Sequence, residues 1–235
     1  MNNFIRIIDV NNYNKISQKT FEEIKRHKII IFRNLFTKDE ILREVAKFKK
    51  KKFKITKKSG EYFIGKKNFS RKDFKNKNNI KHARYQYFHV LFEWNKDESF
   101  RKIFSRLIKF RNKIYRIKSN KILFYYNKFK YFNLPKVHFY PKNGHLGAHK
   151  DFSEKQDKNF IIVTSERGVD FDKGGYFIKI NKKIIDIEKF LKVGDVMCND
   201  LDTIHGVKKI LCKKNQTGRY SLVLSMRKVS NKVND

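Results

Sequence analysis

Cysteine is almost missing from this chain. Cys198 and Cys212 are the two in 235 residues, and they have neither metal-ligand spacing nor the density of a disulfide framework. A disulfide-stapled scaffold is therefore excluded, and both thiols, set among predicted strands, are expected to be buried and free in a reducing cytoplasm. Long apolar runs are missing too. Stretches such as Ile29 to Phe32 and Ile122 to Tyr126 are far too short to span a bilayer, and the start of the chain lacks a charged segment followed by a long apolar one. A cytoplasmic protein without a transmembrane segment is the expectation. Acidic residues are scarce: 23 Asp and Glu stand against 57 Lys and Arg, a formal net charge of +34. Such a field attracts phosphates, anionic membrane surfaces or acidic small molecules. The Lys residues are spread along most of the chain, and Lys, Asn, Ile, Phe and Tyr are all heavily used, residues whose codons are built mostly from A and T. Base-composition drift therefore accounts for the excess at least as well as a polyanion partner does.

What remains is a globular composition. Hydrophobic residues make up 40% of the chain, with 23 Phe and 11 Tyr, enough for a substantial aromatic core in one domain spanning 1–235. No internal repeat or linker divides it. Phe4 to Val10 reads as a strand, Ser17 precedes a helical pattern through Phe21 and Ile24, and Lys28 to Phe32 is a β-branched strand. Thr37 then caps a helix with Glu40 three residues on as a capping box and Ile41, Val45 and Phe48 as its apolar stripe. The basic run Phe48 to Lys58 reads as a solvated face or loop, with phosphate contact as the alternative. Gly60 to Asn79 is polar and reads as a long loop. Ile80 to Trp94 and Glu98 to Ile117 read as helices, the second carrying Phe100, Ile103, Phe104, Leu107, Ile108, Phe110 and Ile114 at helical spacing and laid against a sheet.

From about Lys121 short β-rich runs succeed one another: Ile122 to Tyr126, Lys136 to Tyr140, His145 to Asp151, Phe160 to Thr164, Tyr176 to Ile180, Ile184 to Ile187, Asp195 to Asn199, Thr203 to Ile210 and Tyr220 to Met226. Gly174-Gly175 and Val193-Gly194-Asp195 mark turns between them. The fold class is α+β: a double-stranded β-helix, or jelly roll, over about 121–230, with the helices of a helical N-terminal half, about 1–120, packed against its sheet.

The candidate chemistry sits in the second half. His149 and Asp151 flank Lys150, and alternation along an extended strand turns both toward one face. A His-x-Asp pair by itself is common by chance. Here a lone His205 follows several short strands later, and two imidazoles with one carboxylate can occupy one face of a metal while the opposite face stays open. Arg219 and Ser221, two apart on one strand, can grip a carboxylate together. Asp195 and Asp200 are simpler as turn and loop residues and are not assigned as ligands.

In order and context these motifs resemble the Fe(II)/2-oxoglutarate-dependent dioxygenases over roughly residues 136 to 227. His149-Lys150-Asp151 looks like the family's H-x-D, His205 like its distal iron histidine, and Arg219-Tyr220-Ser221 like the R-x-S that holds the far carboxylate of 2-oxoglutarate. His138-Phe139-Tyr140-Pro141 resembles an N-x-Y-P lead-in in which His138 replaces Asn and Tyr140 keeps the cosubstrate-binding tyrosine. The Ile29 to Ile41 stretch loosely resembles phytanoyl-CoA-hydroxylase-like enzymes. The resemblance implies Fe(II) held by His149, Asp151 and His205, 2-oxoglutarate held by Arg219, Ser221 and Tyr140, dioxygen as reactant, ascorbate as an accessory stimulant, and hydroxylation of a substrate with release of succinate and carbon dioxide; the motifs do not name that substrate, and a small metabolite, of the anionic kind the positive field would draw, is the leading expectation.

Two rivals follow from the charge. An AlkB-type nucleic-acid demethylase shares the triad, but those enzymes carry a second Arg six residues after the first, where this chain has Ser225 and places Arg227 at eight. A non-enzymatic, basic jelly-roll module that binds polyanions is the other.

Overall fold

The run Ile29-Ile30-Ile31-Phe32 has no polar alternation, so it requires cover on both faces. It forms β2 (Ile29–Arg33), in which those four side chains are all buried. In the computed structural model, which describes residues 4–11, 22, 26–49, 55–57, 67–75, 83–91, 93–94, 96–114, 131–151, 158–200 and 202–228, β2 pairs in parallel with β1 (Ile5–Asp9). The remaining described elements are α1 (Lys38–Lys49), β3 (Phe69–Lys75), β4 (Arg84–Val90), α2 (Glu98–Ile114), β5 (Tyr131–Tyr140), β6 (His145–His149), β7 (Lys158–Val163), β8 (Lys173–Ile180), β9 (Lys183–Asp186), a 3-10 turn (Glu188–Phe190), β10 (Val196–Asp200), β11 (Ile204–Leu211) and β12 (Arg219–Lys228).

The strands follow one another as β1-β2-β10-β7-β12-β5-β4-β6-β11-β8-β9, with β3 paired to β4. One layer runs from β1 to β5 and the other from β6 to β9. β4 joins them, because Tyr87 to Val90 pair with β5 while Arg84 and Tyr85 pair with β6. Two apolar clusters show which faces meet. Ile30, Phe32, Val137, Phe160, Ile162, Val196, Leu222 and Leu224 share one with the α2 residues Phe100, Ile103, Phe104, Leu107, Ile108, Phe110 and Ile114. Ile29, Ile31, Tyr140, Ile161, Met197 and Val223 share the other with Tyr176, Ile178 and Val207 of the second layer. Period-2 alternation thus divides each strand of the first layer between an outer, helix-side core and an inner face between the layers.

The helix ends follow ordinary capping chemistry. Thr37 Oγ1 accepts the Glu40 N–H at 3.2 Å, and Asp97 Oδ1 accepts the Phe100 N–H at 3.1 Å. Glu40 does not close a capping box. Its carboxylate takes the guanidinium of Arg106 through two bonds of 3.0 and 2.9 Å, tying α1 to α2. Phe110 meets the ring of Phe32 edge-on at 4.8 Å, seating the α2 stripe on β2.

Four expectations are corrected. Ile80 to Trp94 is not a helix: Arg84–Val90 is β4, and within the supposed loop Gly60 to Asn79 lies β3. In Arg84-Tyr85-Gln86-Tyr87-Phe88-His89-Val90 the aromatic and β-branched residues favour a pleated surface, and β3, β5 and β6 supply the hydrogen-bonding partners that decide for strand. The helical N-terminal half is accordingly redrawn, since four strands stand among the described residues of the first 120 positions. Gly174 and Gly175 lie within β8, not in a turn before it, with φ of +96° and +108°. The helix predicted after Ser17 falls mainly outside the described residues, though Glu22 and Arg26 are helical. The strand predicted at Ile122 to Tyr126, and most of the basic run, lie outside the described residues. Cys198 is buried and Cys212 half-buried, neither in a disulfide among the described residues, and among the described residues no helix is long and apolar enough to cross a membrane.

Candidate metal centre

The three proposed ligands meet. His149 ends β6, Asp151 follows it just past the strand, and His205 stands near the start of β11, directly opposite His149 in the antiparallel register. Their ligand atoms all lie within 4.8 Å of one another. Asp151 Oδ1 is 3.6 Å from His149 Nε2, and Asp151 Oδ2 is 3.2 Å from His205 Nε2.

A β-bulge brings them together. His205 pairs with His149 and Val207 with Leu146, so two steps along β11 span three along β6. The extra residue turns both Leu146 and His149 to the inner face, which strict alternation would forbid. Gly206 sits at this point, and a Cβ there would lie 2.5 Å from the Leu146 carbonyl oxygen, so the close approach of the two strands demands glycine.

The imidazoles are fixed by their other nitrogens. His149 Nδ1–H donates to the Gly147 carbonyl at 2.9 Å, and His205 Nδ1–H donates to the Thr203 carbonyl at 2.8 Å. A carbonyl can only accept, so Nδ1 carries the proton and each Nε2 lone pair is left facing the carboxylate. Backbone partners of this kind orient metal-binding histidines and set their tautomer. Asn159 Nδ2–H donates to Asp151 Oδ2, and the Tyr176 ring stacks on His205 at 5.6 Å. Burial alone would raise the Asp151 carboxyl, but the hydrogen bonds and charges of His149 and His205 outweigh it and hold the group far below the usual carboxylate range. For His149 burial works downward and is outweighed by Asp151 and the Gly147 carbonyl, which raise it. With each Nδ1 committed to a backbone carbonyl, two Nε2 atoms and an ionised carboxylate converge on one side of a space, and a divalent cation, displacing any proton from Nε2, would find open positions opposite.

Tyr140, Arg219 and Ser221 come together on the same inner face, all buried. β5 and β12 set Arg219 opposite Tyr140 and Ser221 opposite His138. Burial pushes the Tyr140 hydroxyl well up, so it stays a donor. His138 is half-buried, its Nε2 is shut off from solvent and makes no hydrogen bond among the described residues, and desolvation followed by the charge of Lys136 lowers it to about 3, so it is neutral.

Sequence reasoning left several neighbours unnamed. Glu188, on the 3-10 turn, accepts Arg219 Nε–H at 3.0 and 3.1 Å with both side chains 2% exposed. Asn159 and Tyr176 were missed as well, and neither has a sequence signal beyond its place on a strand. Asp195 and Asp200, set aside as ligands, are held elsewhere: Asp195 pairs with Arg33 at 3.1 Å and Asp200 with Lys28 at 2.8 Å.

No protein-family model and no curated protein matches the sequence. Solved structures do resemble the fold. A prolyl-4-hydroxylase of Pseudomonas putida is 12% identical, with 89% of this chain and 97% of that one aligned at a TM-score of 0.59. An oxidoreductase of the 2OG-Fe(II) oxygenase family from Burkholderia pseudomallei is 11% identical over 91% of this chain and 92% of that one, at a TM-score of 0.55. JOX2, in complex with 2OG, Fe and JA, is 12% identical over 96% and 75% of the two chains, at 0.57. The fold of this chain is thus the fold of 2OG-Fe(II) oxygenase structures, with a His-Asp-His group capable of holding a metal ion between its two layers.

Proposed function

We propose that the protein is an Fe(II)- and 2-oxoglutarate-dependent oxygenase that hydroxylates a small, anionic metabolite. The observation that carries the reading is the convergence of His149 Nε2, Asp151 and His205 Nε2, with both Nδ1 protons committed to backbone carbonyls. In this reading those three atoms hold the iron, while Arg219, Ser221 and Tyr140 take the far carboxylate of 2-oxoglutarate. Iron and cosubstrate together supply oxidation of a substrate C–H bond by dioxygen, coupled to conversion of 2-oxoglutarate to succinate and carbon dioxide. The chain's own part is to fix the ligand geometry, to orient the cosubstrate through charge-assisted bonds, and to keep water out of the space between the layers.

The anionic character of the substrate rests on β3 and β4. Phe88 lies opposite His138, with the rings 4.8 Å apart, so alternation turns Arg84, Gln86 and Phe88 of β4 to the inner face. Register carries Arg71 and Asp73 of β3 to the same side. There Arg84 Nε lies 2.6 Å and Arg71 Nη2 3.8 Å from Asp73 Oδ2, two guanidinium groups beside one carboxylate. A positive bias at this wall favours a carboxylate or phosphate on the substrate. A screen of metabolite pools and methylated oligonucleotides for substrate-stimulated succinate release tests the reading. Stimulation by an anionic metabolite supports it. Stimulation by methylated oligonucleotides alone returns the nucleic-acid demethylase, and binding of polyanions with no 2-oxoglutarate turnover returns the non-enzymatic module.

A further inference from the structure

We propose that Glu188 is a positioning residue for the cosubstrate: it aims Arg219 and, by its own charge, weakens the hold of Arg219 on the far carboxylate of 2-oxoglutarate. The inference rests on the functional reading above. It begins from a conflict, since the arginine expected to receive a carboxylate from outside already has one beside it, buried in the protein.

The geometry separates the two nitrogen ends of the guanidinium. Both Glu188 oxygens lie at 3.0 and 3.1 Å from Arg219 Nε, and these are the hydrogen bonds that the Arg219 side chain makes among the described residues. The terminal nitrogens, which form the two-pronged end best matched to a carboxylate, are not the ones engaged. Arg219 is thereby fixed at Nε while its other end is left for a second acceptor, with Ser221 beside it on the strand.

Glu188 is itself held in a built cradle. Its Oε2 accepts the Tyr176 N–H at 2.6 Å. Its side chain crosses Gly175, where a Cβ would lie 2.5 Å from Glu188 Cγ, so the backbone there leaves room for this one side chain. Without Glu188, Arg219 would be a buried cation with no counter-charge whenever the cosubstrate is away, a costly state. With Glu188, the arriving carboxylate meets a pair whose charges cancel, and it is repelled by the resident one.

Orientation and charge can be separated by two substitutions. Glu188→Gln keeps an acceptor of the same length and removes the charge. Glu188→Asp keeps the charge but is one methylene too short to reach Nε. The assay is anaerobic calorimetric titration of 2-oxoglutarate, and separately of 2-oxobutyrate, into the Fe(II)-loaded wild type and both variants. Glu188→Gln is expected to bind 2-oxoglutarate on the order of tenfold more tightly, from relief of like-charge repulsion over several ångströms at the effective dielectric of a protein site. It should bind 2-oxobutyrate, which lacks the far carboxylate, as the wild type does. Glu188→Asp should bind 2-oxoglutarate more weakly. A merely structural glutamate would weaken binding in both variants. Equal or weaker binding by folded Glu188→Gln overturns the proposal, as does a gain shared by 2-oxobutyrate. If Glu188→Gln does not fold, Glu188→Asp decides: weaker binding of 2-oxoglutarate with unchanged binding of 2-oxobutyrate supports the proposal, and unchanged affinity for 2-oxoglutarate, or a loss shared by 2-oxobutyrate, overturns it. Failure of the wild type itself to bind 2-oxoglutarate is a different result, and it removes the oxygenase reading together with this one.

Discussion

Metal binding should be visible as stability before any substrate is known. His149, Asp151 and His205 hold their donor atoms within 4.8 Å in the folded chain, and 56 positions of sequence separate the first from the last. The unfolded chain cannot keep them together, so a divalent cation binds the native state preferentially and stabilises it by RT ln(1 + [M]/Kd). At a metal concentration one hundred times Kd this is about 2.7 kcal/mol, which raises the melting temperature of a domain of this size by roughly 5–10 °C. The assay is scanning calorimetry of chelator-stripped protein with and without Fe(II) under argon, or Mn(II) in air. His205→Ala and Asp151→Ala should each lose most of the increment while the stripped forms still melt cooperatively. Equal melting temperatures for stripped and metal-loaded wild type, or an undiminished increment in Asp151→Ala, would refute the assignment, because either outcome places the bound cation elsewhere or nowhere.

Gly206→Ala should act at a distance on the same site: the added Cβ, 2.5 Å from the Leu146 carbonyl oxygen, pushes β6 from β11 and parts His149 from His205, so the metal-induced rise in melting temperature should fall by more than half. Phe104→Ala, in the outer core between α2 and the sheet, should cost about 3–5 kcal/mol in urea unfolding and leave the metal-induced increment unchanged. His138 is neutral because burial lowers it to about 3 from an ordinary value near 6.5. The folded state therefore resists its protonation, and the associated stability is present above about pH 6.5 and is lost as pH falls toward 3. His138→Gln should flatten that acid limb of a pH series of denaturation midpoints, and an unaltered limb would show that other groups produce it.

The His-Asp-His group was readable from the chain because it depends on local facts. His149-Lys150-Asp151 is a covalent spacing, and β-rich runs punctuated by turn residues announce the strands that carry His205 and Arg219. The α2 stripe was equally plain, since seven apolar residues at helical spacing need only their own periodicity to be recognised. β3 and β4 were not readable. A short polar and aromatic stretch such as Arg84–Val90 satisfies helix and strand patterns alike, and the choice was made by hydrogen-bonding partners at β5 and β6, far along the chain.

The sequence by itself determined the kinds of donor at the site and the order in which they occur, because side-chain chemistry and spacing are properties of neighbours in the chain. Tertiary structure alone decided that a bulge in β6 turns His149 inward, that β4 joins the two layers beside the site, and that Glu188, 31 positions away, takes the Nε of Arg219. Those outcomes depend on which strands become neighbours and in what register, and on the need of a buried charge for a counter-charge. Spacing along a chain specifies neither.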